Sequence, residues 1–169
     1  GEGMELGTNI LTEASAGHLA DAVRHVMNGE EVWISDLGFY GADGQAVFFA
    51  ISPVFLADQL LGVVVLQKSS QEIAAIMADN FGLGATGETY LVGPDFFSRS
   101  SGLLSDAGIL RHSIDTQAAH QALSGETKVV THEDYRGELT LAAYTPLQFL
   151  GINWGLIAEI DDAEVLEEV

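Results

Sequence analysis

One phrase occurs twice in this chain. "AISPVFLADQLLGVVVLQ", Ala50 to Gln67, returns as "AYTPLQFLGINWGLIAEI", Ala143 to Ile160. Gly44, Pro53 and Gly62 each recur 93 positions later, as Gly137, Pro146 and Gly155. Upstream, "AVRHVMNGEE" from Ala22 parallels "AAHQALSGET" from Ala118 at an offset of 96, so the intervening loop differs by three residues. Self-similarity of this kind means one structural unit built twice, and two copies are too few for a solenoid. The repeat therefore predicts tandem units of one topology.

Each copy reads as a helix followed by a three-stranded meander. The first helix is "HLADAVRHVMNG", with Leu19, Val23, Val26 and Met27 on one face; the second is "TQAAHQALSG", with Ala119, Ala122 and Leu123. Gly29 and Gly125 are placed to end them in a left-handed cap, and Asp115 to start the second as N-cap. The strands follow as "EVWISDLGFY", "QAVFFAISPVF" and "LLGVVVLQ", then as "TKVVTHEDY", "ELTLAAYTPLQF" and "INWGLIAEI". "GADG" and "YRGE" supply the turns. Pro53 and Pro146 each remove a ladder donor, which predicts a bulge or a strand end. Helices close the copies: "SQEIAAIMADNF" and "DDAEVLEEV". Copy two alone is preceded by "GETYLVGPDFFSRSSGLL", read as a strand, a turn at "GPD" and a second strand. The counterpart in copy one would fall before residue 1, and the opening "GEGMELGTN" reads as a cut edge. The prediction is an α+β chain of two PAS-like units, each an antiparallel sheet with flanking helices, the first lacking its first two strands. The sheet edge this leaves open is expected to be covered by a neighbouring molecule or the N-terminal segment.

Composition narrows the function classes. Of 169 residues, 25 are acidic and six are Lys or Arg, for a formal charge of -19. Such a surface repels phosphate backbones, so no nucleic acid is expected as a partner. With no cysteine, disulfides, thiolate metal sites and a Cys nucleophile are excluded. No run approaches the roughly 18 apolar residues a membrane span needs. "GLGATG", Gly82 to Gly87, has the dinucleotide spacing but follows a helix and precedes a strand, the reverse of what phosphate binding requires; it reads as a connector. His18, His25, His112, His120 and His132 form no H-E-x-x-H, and "THEDY" reads as a solvated edge strand, so no metal site and no cofactor are expected. No G-x-S-x-G elbow is present, and no catalytic residue is assigned.

Among polar candidates Arg99 stands out, because a guanidinium can clamp a carboxylate with two hydrogen bonds. Arg99, Tyr90, Ser101 and Tyr144 are predicted to line a small pocket in copy two; the competing reading pairs Arg99 with Asp95, Asp106 or Asp134 to hold a loop. In copy one, Trp33, Asp36, Tyr40 and Phe49 could face the equivalent cleft, or form core.

The phrases "GLGATGETYLVGPDFFSRSS", "DYRGELTLAAYTPL" and "GINWGLIAEIDDAEV" resemble the membrane-proximal half of double Cache sensory domains. "LGTNI", "VWISDLGFYGADGQAVFFAISPVF" and "LLGVVVLQKSSQEIAAIM" resemble the back of the membrane-distal half. The resemblance implies the extracytoplasmic, periplasmic sensor of an inner-membrane chemoreceptor, histidine kinase or cyclase. Residues 1–80 would be the incomplete membrane-distal unit, and residues 81–169 the membrane-proximal unit with the start of a signalling helix. The implied activity is signal input and not catalysis. The implied partners are an unidentified small molecule, a second copy in a homodimer, and a membrane reached through segments outside this chain. The alternative is a ligand-free structural or dimerisation module. The aromatic and acidic set typical of amino-acid-binding relatives is not recognisable in this chain.

Overall fold

The computed structural model describes residues 17–41, 43–78, 82–101 and 108–167. They belong to two compact units, Gly1–Ser69 and Ser70–Val169. "LGTNI" lies outside the described residues, as do Asn80 and Asp106.

Among the described residues, the first unit is one helix on one sheet. Helix α1 (Gly17–Met27) presents Leu19, Ala22, Val23 and Val26 to the long strand β3 (Gln45–Leu56), whose Val47, Phe49 and Ile51 face it. The i, i+3, i+4 spacing meets the strand's period of two, and both faces bury. Met27, expected on the same face, is the last residue of the helix and is exposed. The predicted strand "EVWISDLGFY" is broken into β1 (Trp33–Ile34) and β2 (Gly38–Tyr40), both paired antiparallel with β3. Three residues, Ser35 to Leu37, stand opposite two, Phe48 and Phe49. Ser35 repairs the gap: its N–H donates to Phe49 O, and its hydroxyl accepts from Phe49 N, both at 2.9 Å. Strand β4 (Gln59–Ser69) pairs with the other side of β3 and is an edge among the described residues.

In the second unit, α2 (Ser70–Met77) comes first. The sheet has the order β5-β8-β7-β6, from β5 (Glu88–Val92), β6 (Lys128–Glu133), β7 (Leu139–Phe149) and β8 (Ile152–Asp161). Helix α3 (Gln117–Leu123) lies on β7 and β8, with Ala118, Ala119 and Ala122 fully buried against Ala142, Tyr144 and Ile157. Its N-cap is Thr116, not Asp115: the Thr116 hydroxyl accepts from Ala119 N at 3.2 Å, while the Asp115 carboxylate is taken by His120 Nε2 at 2.6 Å. Helix α4 (Asp162–Glu167) continues β8 without a break.

The repeat survives as geometry. Gly29 and Gly125 both carry positive φ, +113° and +97°, and close the helices as predicted. The hairpins after β3 and β7 turn at Ala57–Asp58 and Leu150–Gly151, in matching positions. The expected bulge accompanies Pro53, where Leu61 is the extra residue on β4, but not Pro146, which pairs regularly with Gly155. Both prolines lie past the reach of the shorter neighbour, β1 or β6, so each missing N–H belongs to an unpaired side. Among the described residues, the expected second strand does not follow β5. Gly93 to Phe97 curl into a loop, with Phe96 at φ +60°, and contact resumes through the bridges Val92–Ser98 and Phe97–Ser113 and through the bond from Arg99 N to Leu91 O at 2.7 Å.

Candidate functional site

The core face of the second sheet carries charge. Register sets Glu88 of β5 opposite Glu159 of β8, and Glu159 opposite Ala142 of β7. One row along stand Tyr90, Ile157 and Tyr144; one row back, Asp161, Thr140 and His132. Residues two apart on a strand share a face. Glu88 and Glu159 are therefore inward by phase, and they are 0% and 2% exposed. Asp134 follows His132 by two residues just beyond β6, and both are buried. "THEDY" is thus not a solvated edge: alternation turns Glu133 out and His132 and Asp134 in.

Local structure fixes each group. Asp134 opens the turn to β7. Its Oδ1 accepts from Arg136 N at 2.6 Å and Glu138 N at 3.1 Å, its Oδ2 from Arg136 Nε at 2.6 Å, and Arg136 Nη2 reaches on to Asp161 at 2.6 Å. Tyr135 donates its hydroxyl to Glu88 Oε1 at 2.5 Å, and His132 Nε2 is 3.0 Å from Glu159 Oε1. The Tyr135 ring stands edge-on to Tyr90 and to His112, with centroids 5.7 and 4.6 Å away. Carboxylate oxygens of Glu88, Asp134 and Glu159 lie within 4.8 Å of one another.

The cluster is incompletely satisfied. Glu88 Oε2, Glu159 Oε2, Tyr90 Oη and His132 Nδ1 are buried without a hydrogen-bond partner. Leaving such groups unpaired costs about 1–3 kcal/mol each, and more if charged. Tyr90 lies beside Glu159, near enough for each to move the other's proton affinity, but no bond of ordinary geometry joins them. Burial raises the Glu159 carboxyl above its usual range, opposed by Tyr90 and His132. Burial, then the Glu159 charge and contact, raises the Tyr90 phenol far above its own.

Of the four residues predicted to line a pocket, the structure brings Tyr90 and Tyr144 to one face, either side of Ile157. Tyr144 donates to Gln121 Oε1 of α3 at 2.5 Å. Arg99 is 2% exposed and packs beneath Gly93; its Nη1 donates to Phe97 O at 2.8 Å and pairs with Asp95 at 2.9 Å. Burial would raise the Asp95 carboxyl, but Arg99 and Phe97 N outweigh it and hold it below its usual value. Ser101 is exposed. In the first unit, Phe49 sits in the core with Trp33 and Tyr40 against it. Trp33 stacks on His25 at 3.8 Å, Tyr40 meets Phe49 edge-on at 5.1 Å, and Asp36 accepts from Leu37 N at 2.7 Å.

Glu88, Glu159, His132 and Asp134 are not singled out by any sequence motif. Their signal is phase: each glutamate falls in step with buried apolar residues of its strand, Glu88 with Tyr90 and Glu159 with Ile157. Among 25 acidic residues that signal is diluted.

No family model and no curated protein matches the chain. Solved structures do. The periplasmic sensory domain of the Campylobacter jejuni chemoreceptor Tlp1 is 16% identical with a TM-score of 0.69, over 95% of this chain and 59% of that one. The ligand-binding domain of the Pseudomonas aeruginosa PAO1 amino acid chemoreceptor PctC, in complex with GABA, is 18% identical with a TM-score of 0.66, over 95% and 66%. That of the Pseudomonas fluorescens chemoreceptor CtaA, in complex with L-leucine, is 19% identical with a TM-score of 0.59, over 86% and 60%. The chain thus spans less than two thirds of the length of these domains. The α+β fold of the chain, with its antiparallel sheets, is the fold of chemoreceptor ligand-binding domains, as the Cache resemblance implied. Among the described residues no helix is long and apolar enough to cross a membrane.

Proposed function

We propose that this chain is the extracytoplasmic ligand-sensing domain of a bacterial transmembrane receptor. It binds a small solute on the core face of the second sheet and passes a conformational bias to the helix that follows β8. Signal input is the role assigned, with no reaction. The observation that carries the reading is the buried cluster of Glu88, Tyr90, His132, Asp134 and Glu159, in which polar atoms remain without partners. A spacer or dimerisation module calls for a filled apolar interior at this place, and the buried carboxylates count against it.

The route out is short. Glu159 lies on β8 three residues before α4 begins. Glu164 of α4 is clasped by the glycine-rich loop: its Oε1 accepts from Ala85 N at 2.7 Å and its Oε2 from Thr86 N at 2.8 Å. Asp161 N donates to Thr86 Oγ1 at 3.1 Å. A ligand that contacts Glu159 differently in two states would bias this joint.

A thermal-shift screen of small solutes tests the reading. A hit is expected to raise the melting temperature of the wild type, by an amount equivalent to about 2.7 kcal/mol at a hundred times its Kd. The shift should vanish in Tyr90→Phe combined with Glu159→Gln. Hits that shift that double variant undiminished, or a broad library with none, would count for the spacer.

A further inference from the structure

We infer that Glu88, Asp134 and Glu159 form a binding site for one hard divalent cation, Ca²⁺ foremost. This deepens the reading above, since it names the charge class of what the same cluster binds.

Charge poses the problem. Asp134 is compensated by Arg136, but Arg136 is shared with Asp161. Glu88 and Glu159 face each other across two paired strands, with His132 and two tyrosine hydroxyls for company. Two facing carboxylates removed from water need a proton or a cation between them. A shared proton answers for that pair alone. It leaves the convergence of a third buried carboxylate, Asp134, unexplained. A cation answers for all three.

Geometry and donor chemistry agree. Ligand atoms on one Ca²⁺ at about 2.4 Å stand no more than about 4.8 Å apart. The three carboxylate oxygens meet that limit. The donors are oxygens, the chain has no thiol, and the imidazole of His132 is turned to Glu159. That set suits a hard ion of flexible geometry better than Zn²⁺. His132 and Tyr135 then orient the ligating carboxylates from behind, one oxygen each, and leave the second oxygen of Glu159 and of Glu88 for the ion.

The test strips the whole chain with a chelator, then titrates it with Ca²⁺, Mg²⁺, Mn²⁺ and Zn²⁺ separately, by calorimetry and by melting. We expect one equivalent of Ca²⁺ to bind and raise the melting temperature. Binding should be lost in Glu88→Gln/Glu159→Gln and unchanged in Glu133→Gln, whose side chain faces solvent. His132→Ala should weaken it about ten- to a hundredfold. Without metal, the Gln pair should melt no lower than the stripped wild type, because it removes two buried charges; that result also shows that the variant folds. Four outcomes would overturn the site: no divalent ion binds, Zn²⁺ is strongly preferred, binding survives in the Gln pair, or ethanolamine binds with the same variant dependence while metals do not. In the last case the solute-sensing reading stands and the metal falls. Metal binding without any solute response would instead keep the cation site and remove the solute-sensing reading.

Discussion

Gly62 and Gly155 show how far a single residue can be read. They occupy the same place in the repeat, and sequence alone assigns them one role. A Cβ on Gly155 would meet Ala122 Cβ at 2.9 Å and Val92 Cγ1 at 3.0 Å, whereas one on Gly62 would meet nothing within 4 Å. The difference is the helix: α3, built of alanines on its inner face, comes down on Gly155. Gly155→Val should therefore cost about 1–3 kcal/mol by overpacking. Gly62→Val, on β4, an edge among the described residues, should change stability by no more than about 0.5 kcal/mol or raise it. Urea unfolding of the two variants checks this, and equal losses would refute it. Arg99 makes the same point from the polar side. Its rarity in an acidic chain is legible, as is Asp95 among its three candidate partners. Its pairing with Asp95 depends on a loop with a positive φ at Phe96 that no local pattern announces.

At the scale of elements, periodicity places helices and strands well because the period itself is what burial enforces. The ends of β3, β4, β7 and β8 fall within a residue or two of the apolar runs that predict them. Misses occur where side chains compete with the ladder. Ser35 splits one predicted strand by bonding to Phe49, and the Gly93–Phe97 turn dissolves another. "GLGATG" sits in the wrong order of elements for a phosphate loop, yet it does hold an anion: its amides bind the Glu164 carboxylate of α4. Bonds from Thr86 and Ala85 hold that carboxyl below its ordinary value. A depressed acid contributes stability above its unfolded pKa and loses it as pH falls through the folded one. Amide hydrogen exchange at Ala85 and Thr86 should thus accelerate as pH drops below about 4.3, after correction for intrinsic rates. Glu164→Gln should show the fast limit at neutral pH. Protection that is independent of pH and unaffected by the substitution would dismiss the latch.

For the molecule as a whole, charge is the dominant legible quantity. At -19, the folded chain repels itself over distances that salt can screen. Raising NaCl from about 10 to 150 mM shortens the Debye length from about 30 to 8 Å. The melting temperature of the chelator-treated chain should rise with it, and a flat or falling response would mean that self-repulsion does not limit stability. The doubled meander, the capping glycines, the hairpin turns and the acidic excess were determined by sequence alone. Each rests on neighbours along the chain or on a count, and local physics acts on those directly. The charged cluster was decided by tertiary structure. Glu88, Asp134 and Glu159 come from three separate stretches, and only pairing β5 with β8 and folding β6 onto β7 sets their oxygens within 4.8 Å. Phase can say that a carboxylate points inward; which others it meets there depends on strand order and register, and those are set by the packing of the whole sheet.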